Sequence, residues 1–444
     1  MESGERVSEP FNTARLQKLS VVEAAGAIAR GEITAQQLVR ALIQRIEERD
    51  GAVRAWASFD PDYALRQARA CDEGKVSGPL RGVPIGVKDI LNTYDFPTQM
   101  GSPIYEGWQT RNDAACVGLL RNAGAIVLGK TITCEFAGIH PNITTNPLDA
   151  ARTPGGSSSG SAAAVADFMV PMALGTQTGG SVLRPASFCG LVGFKPTFGG
   201  YNREGLRFAA ECIDTIGLIA RSVTDAAYCD HVLRNSTPAP MTLPEHAPRV
   251  GLCRTYMWEL AQPETRACVA KVVAQVEAAG VKVEEFDLPS HFAELTKARG
   301  IINDVERARS LPWEWANHRD KLSPGLQKIM ENGYAISEAD YRAALKQVAA
   351  ARIQIDAILR SYDVVIAPAV NGEAPIGLHY TGDTSFQALW TLLHVPSITL
   401  PAHRGPNGMP VGIQFVAAAG EDNKLLQSAL WMQQTAGLRM ESDA

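Results

Sequence analysis

Two glycine-serine turns, one helix and one strand apart, decide how this chain is read. Thr153-Pro-Gly-Gly-Ser157-Ser158-Ser159-Gly160-Ser161 runs into small residues at 162–166. An apolar strand run at 169–174 then leads to Gly175-Thr-Gln-Thr178-Gly179-Gly180-Ser181. Glycine permits unusual torsions and close backbone approach, so such turns can aim several amides at one point. Amides around Thr178, Gly179 and Gly180, with a serine at their end, have the form of an oxyanion hole beside a nucleophile. Ser157, Ser158, Ser159 and Ser161 cannot all be catalytic; most are expected to cap the helix and brace the turn.

The pattern extends outward on both sides. Val83, Ile85 and Val87 alternate toward Lys88, which predicts a strand ending at a polar site. Asp113 is placed to cap a helix carrying Cys116, Leu119 and Leu120, which Gly124 stops before a strand run at 125–128. The same order returns later. A strand from Val250 to Cys253 precedes a helix through Val269, Val272, Val273 and Val276; Gly280 ends it before a strand run at 281–286. A helix over 341–359 precedes an apolar strand at 364–367. Near the N-terminus, Ser20-x-x-Glu23 and Thr34-x-x-Gln37 have the form of capping boxes, and Leu38, Leu42 and Ile46 give one apolar face to a helix packed on a sheet. Strand-helix alternation predicts an α/β fold with a largely parallel or mixed sheet. The expected organisation is one domain over 1–444: a helical part at 1–75, a core at 76–235, a variable α/β part at 236–362 and a C-terminal sheet and helix part at 363–444. The proline-bearing stretch 236–248 is the linker candidate.

Composition narrows the function. The 444 residues are 45% hydrophobic and 20% charged, ordinary for a globular chain. Lys plus Arg (42) against Asp plus Glu (47) leaves −5, with no basic excess to hold a phosphate backbone, so no nucleic-acid partner is expected. The longest small-and-apolar stretch, 162–174, is broken by Asp167 and is shorter than the roughly 20 residues a membrane span needs. Met1 to Arg6 carry no apolar signal core, and the eight Cys form no C-x-x-C pair, which fits free thiols and a cytoplasmic location. The eight His form no H-E-x-x-H or close Cys/His set, so no metal and no cofactor is expected.

Three chemistries could use a serine here. Gly156-x-Ser158-x-Gly160 matches a nucleophile elbow, with His379, His394 and His403 downstream, but the preceding Ala151-Arg152-Thr153-Pro154 is polar and proline-broken where an elbow needs a buried strand. Glycine turns at a helix start can cradle phosphate, yet neither a P-loop nor a dinucleotide motif is present. The third is a Ser-Lys hydrolase, in which a desolvated lysine serves as the base.

At these residues the chain resembles the amidase signature family. The matching pieces are Gly86-Val87-Lys88-Asp89, Gly155-Gly156-Ser157-Ser158-Ser159-Gly160 and Gly175-Thr-Gln-Thr-Gly-Gly-Ser181, followed by Cys189-Gly-Leu-Val-Gly-Phe-Lys-Pro196, Asp214-Thr-Ile-Gly217 and Gly408-Met-Pro-Val-Gly-Ile-Gln414. Lys88 lies 69 residues before Ser157, and Ser157 lies 24 before Ser181, the family's spacing. The resemblance implies a Ser181–Ser157–Lys88 triad, with Ser157 after a cis peptide bond from Gly156 and relaying the proton of Ser181 to neutral Lys88. It implies an oxyanion hole from the amides of Thr178, Gly179, Gly180 and Ser181. Lys88 must then titrate well below about 10.4 through burial.

The match bends at two places. Many members carry Asp where this chain has Gln177, and an arginine two residues after the nucleophile; here Arg184 comes three after. This pattern resembles malonamidase-like bacterial members, in which the arginine holds a substrate carboxylate; the alternative is an arginine paired with an internal acid that braces the loop. Relatives of this pattern also take neutral amides, aryl amides, esters or carbamates (urethanase-type activity). Phe136, in Gly129-Lys130-Thr131-x-x-x-Glu135-Phe136, is expected to line the acyl pocket or sit in the core, and the segment 290–345, with Trp313, Trp315 and Tyr334, to shape the entrance. The resemblance implies an α/β fold with a mixed central sheet flanked by helices on both faces, and a homodimer acting on a small amide or carbamate. It leaves one alternative from a different class, a component of a tRNA-dependent amidotransferase that passes ammonia on through partner proteins.

Overall fold

The computed structural model describes residues 13–440; the stretch from Met1 to Arg6 lies outside them. Eleven strands form one sheet: β1 (Trp56–Phe59), β2 (Pro84–Lys88), β3 (Ile126–Thr131), β4 (Met172–Gln177), β5 (Val192–Lys195), β6 (Thr215–Ala220), β7 (Val250–Leu252), β8 (Val283–Glu285), β9 (Val364–Pro368), β10 (Ser397–Arg404) and β11 (Pro410–Val416). Their order is β1-β3-β2-β4-β6-β5-β10-β11-β9-β7-β8. The sheet is mixed, one of the two arrangements that the alternation allows and the one that the resemblance implies. The flanking trios β3-β2-β4 and β9-β7-β8 are parallel, because each of their strands is followed by a helical crossover. The centre, β4-β6-β5-β10-β11-β9, is antiparallel.

Both capping boxes form. Ser20 and Glu23 close the first, and Thr34 and Gln37 open the helix Ala35–Val53. That helix buries Leu38, Leu42 and Ile46 on one face, as the four-residue spacing requires. It is held to the far end of the helix Ser159–Ala166 by Arg45 and Arg49, which both pair with Asp167. No helix among the described residues is long and apolar enough to cross a membrane. Seven of the eight Cys are buried and all are free thiols.

Local expectations fail in three places. Asp113 does not cap its helix, which starts after Ala114 with no side-chain cap; its carboxylate instead accepts from the Tyr94 amide and pairs with Arg121. The strand expected at 169–174 begins three residues later, since Phe168 turns left-handed (φ 57°) and Pro171 has no amide for a ladder. The serines after Ser157 do not cap their helix either. Ser158 at its N-cap makes no capping bond; Ser161 Oγ instead bonds Thr131 Oγ1 at 2.7 Å and the Leu174 carbonyl at 2.9 Å, and so stitches the helix to β3 and β4. The helix is made of small residues because it lies hard against the sheet edge: a Cβ on Gly160 would sit 2.2 Å from the Ala55 carbonyl oxygen and 2.4 Å from the Ile132 nitrogen.

Leu42 is fully buried. Leu42→Ala should therefore cost about 2–5 kcal/mol of stability in denaturant unfolding, through lost contacts and a cavity. A loss under about 1 kcal/mol, the range of a solvent-exposed site, would contradict the packing described.

Candidate active site

The parallel strands β2 and β4 end side by side, and crevices at the carboxyl ends of parallel strands are where open α/β sheets collect ligands. Lys88 is the last residue of β2, and Ser181 follows β4 through the turn Thr178-Gly179-Gly180. Ser157 precedes the helix Ser159–Ala166, and the bond joining it to Gly156 is cis. Lys88 Nζ donates to Ser157 Oγ at 2.8 Å and to Thr176 Oγ1 at 2.8 Å. No solvent reaches it. Burial pushes its ammonium down to about 7, with Arg307 and Arg184 acting in the same direction and Cys134 and Asp214 opposing. At neutral pH a substantial share of the amine is thus uncharged, with a lone pair for the Ser157 proton.

The backbone carries Ser181 next to this pair, its carbonyl accepting from the Ser158 amide at 3.3 Å. The Ser181 hydroxyl has no hydrogen-bond partner among the described residues and is slightly open to solvent (8%), so the second link of the relay is not closed by a hydrogen bond. Catalytic hydrogen bonds often tighten only around bound substrate.

Residues outside the expected set hold the turn open. Thr391 Oγ1 donates to the Gly179 carbonyl at 2.7 Å, and Thr178 Oγ1 donates to Asp214. Asp214 also accepts from the amides of Ala209 and Ala210. Gln177 accepts from the amides of Val182 and Leu183 and donates to Thr391, so protein partners occupy both ends of its side chain. With the carbonyls tied outward, the amides of Gly179, Gly180 and Ser181 donate to no acceptor among the described residues. A Cβ at Gly180 would lie 2.5 Å from the Gln387 side-chain oxygen, so any larger residue there would have to displace that buried side chain.

Arg184 is buried, and burial pushes its guanidinium down to about 10. Its one satisfied nitrogen donates to the Gly156 carbonyl at 2.6 Å and Thr381 Oγ1 at 3.1 Å, while Nε and the other terminal nitrogen have no partner. The internal acid considered as its mate is absent among the described residues. Phe136 is buried in a left-handed turn (φ 45°) flanking Ser157, where the Cys134 amide donates to the Ser157 carbonyl. Tyr105 meets its ring edge-on at 6.0 Å, and half-exposed Trp313 meets Tyr105 at 6.3 Å, which puts part of the 290–345 segment at the rim. Arg307, from the helix Leu295–Ser310, donates to the Phe136 carbonyl at 2.6 Å. That helix also carries Arg299. Sequence reasoning misses both arginines; the available signal is charge falling on the apolar stripe of Leu295, Ile302 and Val305.

The profile of the family described as Amidase matches residues 37–426. The chain is 34% identical to a glutamyl-tRNA(Gln) amidotransferase subunit of Thermobifida fusca over 93% of its length and 95% of the relative's. It is 30% identical to the same-named protein of Natranaerobius thermophilus, over 95% and 96%. Among solved structures it superposes on an amidase with TM-score 0.86 and 30% identity, covering 95% of this chain and all of that one. On the peptide amidase of Stenotrophomonas maltophilia the TM-score is 0.81 with 27% identity, covering 97% and 99%.

Because a base must be deprotonated to accept a proton, kcat/KM on an amide should rise with pH through about 7 and fall off below it as Lys88 becomes charged. A profile flat from pH 6 to 8 would contradict the assignment of Lys88. Thr391→Val, which removes the hydroxyl bond to the Gly179 carbonyl, should lower kcat about 10-fold or more while leaving the fold intact by circular dichroism.

Proposed function

The chain belongs to the amidase family, and on that premise we propose that it cleaves an amide C–N bond through an acyl-enzyme on Ser181. The Ser181 oxygen forms a bond to the carbonyl carbon as its proton passes through Ser157 to the neutral amine of Lys88. The carbonyl electron pair moves onto oxygen and is met by the free amides of the turn 178–181. When that pair returns, the C–N bond breaks, and the departing amine takes the proton back through Ser157. Water repeats the sequence on the ester and releases the acid. The observation that carries this reading is the solvent-free Lys88 amine, 2.8 Å from Ser157 and pushed down to about 7 by burial.

The finer reading is a stand-alone hydrolase of a small amide, with anilides, esters and carbamates as further substrates, in the manner of malonamidase-like members. Arg184 supports it. A buried guanidinium with two unpartnered nitrogens is costly, and a substrate carboxylate would complete it. In this reading Gln177 is a positioning residue that braces the start of the helix Leu183–Phe188, Phe136 lines the acyl side, and a second copy of the chain is the expected partner. A second reading has the names of the curated relatives behind it: one component of a glutamyl-tRNA(Gln) amidotransferase. In that reading the ammonia released at Ser181 would pass on through partner proteins.

Hydrolysis by the purified chain separates the two. The panel is malonamate, a neutral aliphatic amide, an anilide, an aryl ester and an aryl carbamate. Turnover without a partner, with preference for malonamate lost in Arg184→Ala, is the expected result. Silence on all five, with activity restored by co-expressed partner subunits, would install the second reading. A serine-directed phosphonylating probe should add to Ser181 and not to the Ser181→Ala protein; an adduct on Ser158 would overturn the triad.

A further inference from the structure

Arg184 is not the only uncompensated cation at the site. Arg299 extends from the helix Leu295–Ser310 to the other side of the oxyanion turn, where a Cβ on Gly179 would lie 2.8 Å from its terminal nitrogen and 3.3 Å from the methyl of Thr384. Its Nε is buried without a partner, and no carboxylate pairs with it among the described residues. The nearest acids act only through space. Asp304 lies on its own helix, and Asp383 faces it from the adjacent loop with one oxygen taken by the Ser385 amide at 2.6 Å. The two guanidiniums are close enough that Arg299 weakens the hold of Arg184 on its proton. They are linked by one short segment, since Arg184 bonds Thr381 while Arg299 and Thr384 crowd Gly179 together. Arg299 and Thr384 also border a cavity of about 60 Å³ walled by Leu295, Ala388 and Leu389, large enough for a small polar group and filled by no protein atom. Two guanidiniums with unpartnered nitrogens that feel each other's charge repel; Asp383 offsets part of this through space at both, and an anion bonded directly to both would offset more.

We propose that Arg299 is a second carboxylate-reading residue, specificity-determining for the reaction at Ser181, so that the substrate is an amide carrying a free carboxylate held by Arg184 and Arg299 together. This rests on the amidolytic reading above and narrows its substrate class. It departs from that reading in placing half of the recognition on a helix outside the glycine-serine turns. The carboxylate gains charge-assisted bonds from two directions, and the oxyanion turn lies beside the anion it must help position.

The test compares malonamate with its neutral isostere malonamide in the wild type, Arg299→Gln, Arg184→Gln and the double variant. Arg299→Gln should lower the malonamate-to-malonamide ratio of kcat/KM by about 10- to 100-fold, chiefly through KM, and Arg299→Lys should recover part of it. The double variant should lose less than the product of the single losses, because both residues hold one group. Equal losses on the two amides, or none on either, would overturn the proposal. Calorimetry with malonate needs no turnover: binding by the wild type that weakens about 10-fold or more in Arg299→Gln supports it, and no binding by the wild type overturns it. Malonate binding of that kind in a protein that hydrolyses neither amide would sink the amidolytic reading and, with it, the role in the reaction, while keeping the carboxylate site at the two arginines.

Discussion

A primary amine sealed from water is the constraint around which this molecule is arranged. Lys88 sits at the end of a central parallel strand with no exposed surface, and its Nζ is met by hydroxyls rather than by a carboxylate. A buried carboxylate partner would hold the amine charged and useless as a base; two hydroxyls and the dry wall of β4 do the reverse. The neighbouring strand shows the contrast. Lys130 is equally buried but pairs with Asp89 at 3.0 Å and tethers the loop after β2. Burial pushes both ammoniums down, and at Lys130 the Asp89 carboxylate opposes that push through direct contact, which Lys88 lacks.

The oxyanion turn depends on a similar division of contacts. Each group that could close it is drawn outward: the Gly179 carbonyl to Thr391, the Thr178 hydroxyl to Asp214, and the amides of Val182 and Leu183 to Gln177. What remains is a set of amides, those of Gly179, Gly180 and Ser181, and a Ser181 hydroxyl, none with a hydrogen-bond partner among the described residues. Preorganisation of this kind spares the reaction the reorientation that water would need. Near the turn stand three arginines with unpartnered nitrogens, Arg184, Arg299 and Arg307, offset through space by Asp214 and Asp383.

Much of this is legible in the sequence, for identifiable reasons. The boxes at Ser20 and Thr34 and the apolar stripe of Leu38, Leu42 and Ile46 are local signals, decided within one or two helical turns. The ordered glycine-serine turns with Lys88 upstream leave several serine chemistries open by themselves, and the resemblance to a known family is what singles out Lys88 and Ser157, which the structure brings to 2.8 Å. What stays hidden is tertiary. Asp113 reads as a cap, but a long-range ion pair with Arg121 takes it. Ser158 and Ser161 read as capping residues, but the sheet lies close enough for them to bond β3 and β4 instead. Asp214 stands in a recognisable motif without a visible task, and Thr391 lies 212 residues from the carbonyl it holds. Arg299 and Arg307 sit in the least familiar stretch of the chain, where no local pattern says which side of a helix faces a site.

Catalysis by this site stands or falls on the protonation state of Lys88. The direct measurement is a ¹⁵N NMR titration of the lysine side-chain nitrogens in the Ser181→Ala protein, with the Lys88 signal assigned by its absence in Lys88→Met. Deprotonation near pH 7 is the expected result. A Lys88 amine that keeps its proton up to the ordinary lysine range of about 10.4 would contradict the mechanism, because the group could not then serve as the base at neutral pH.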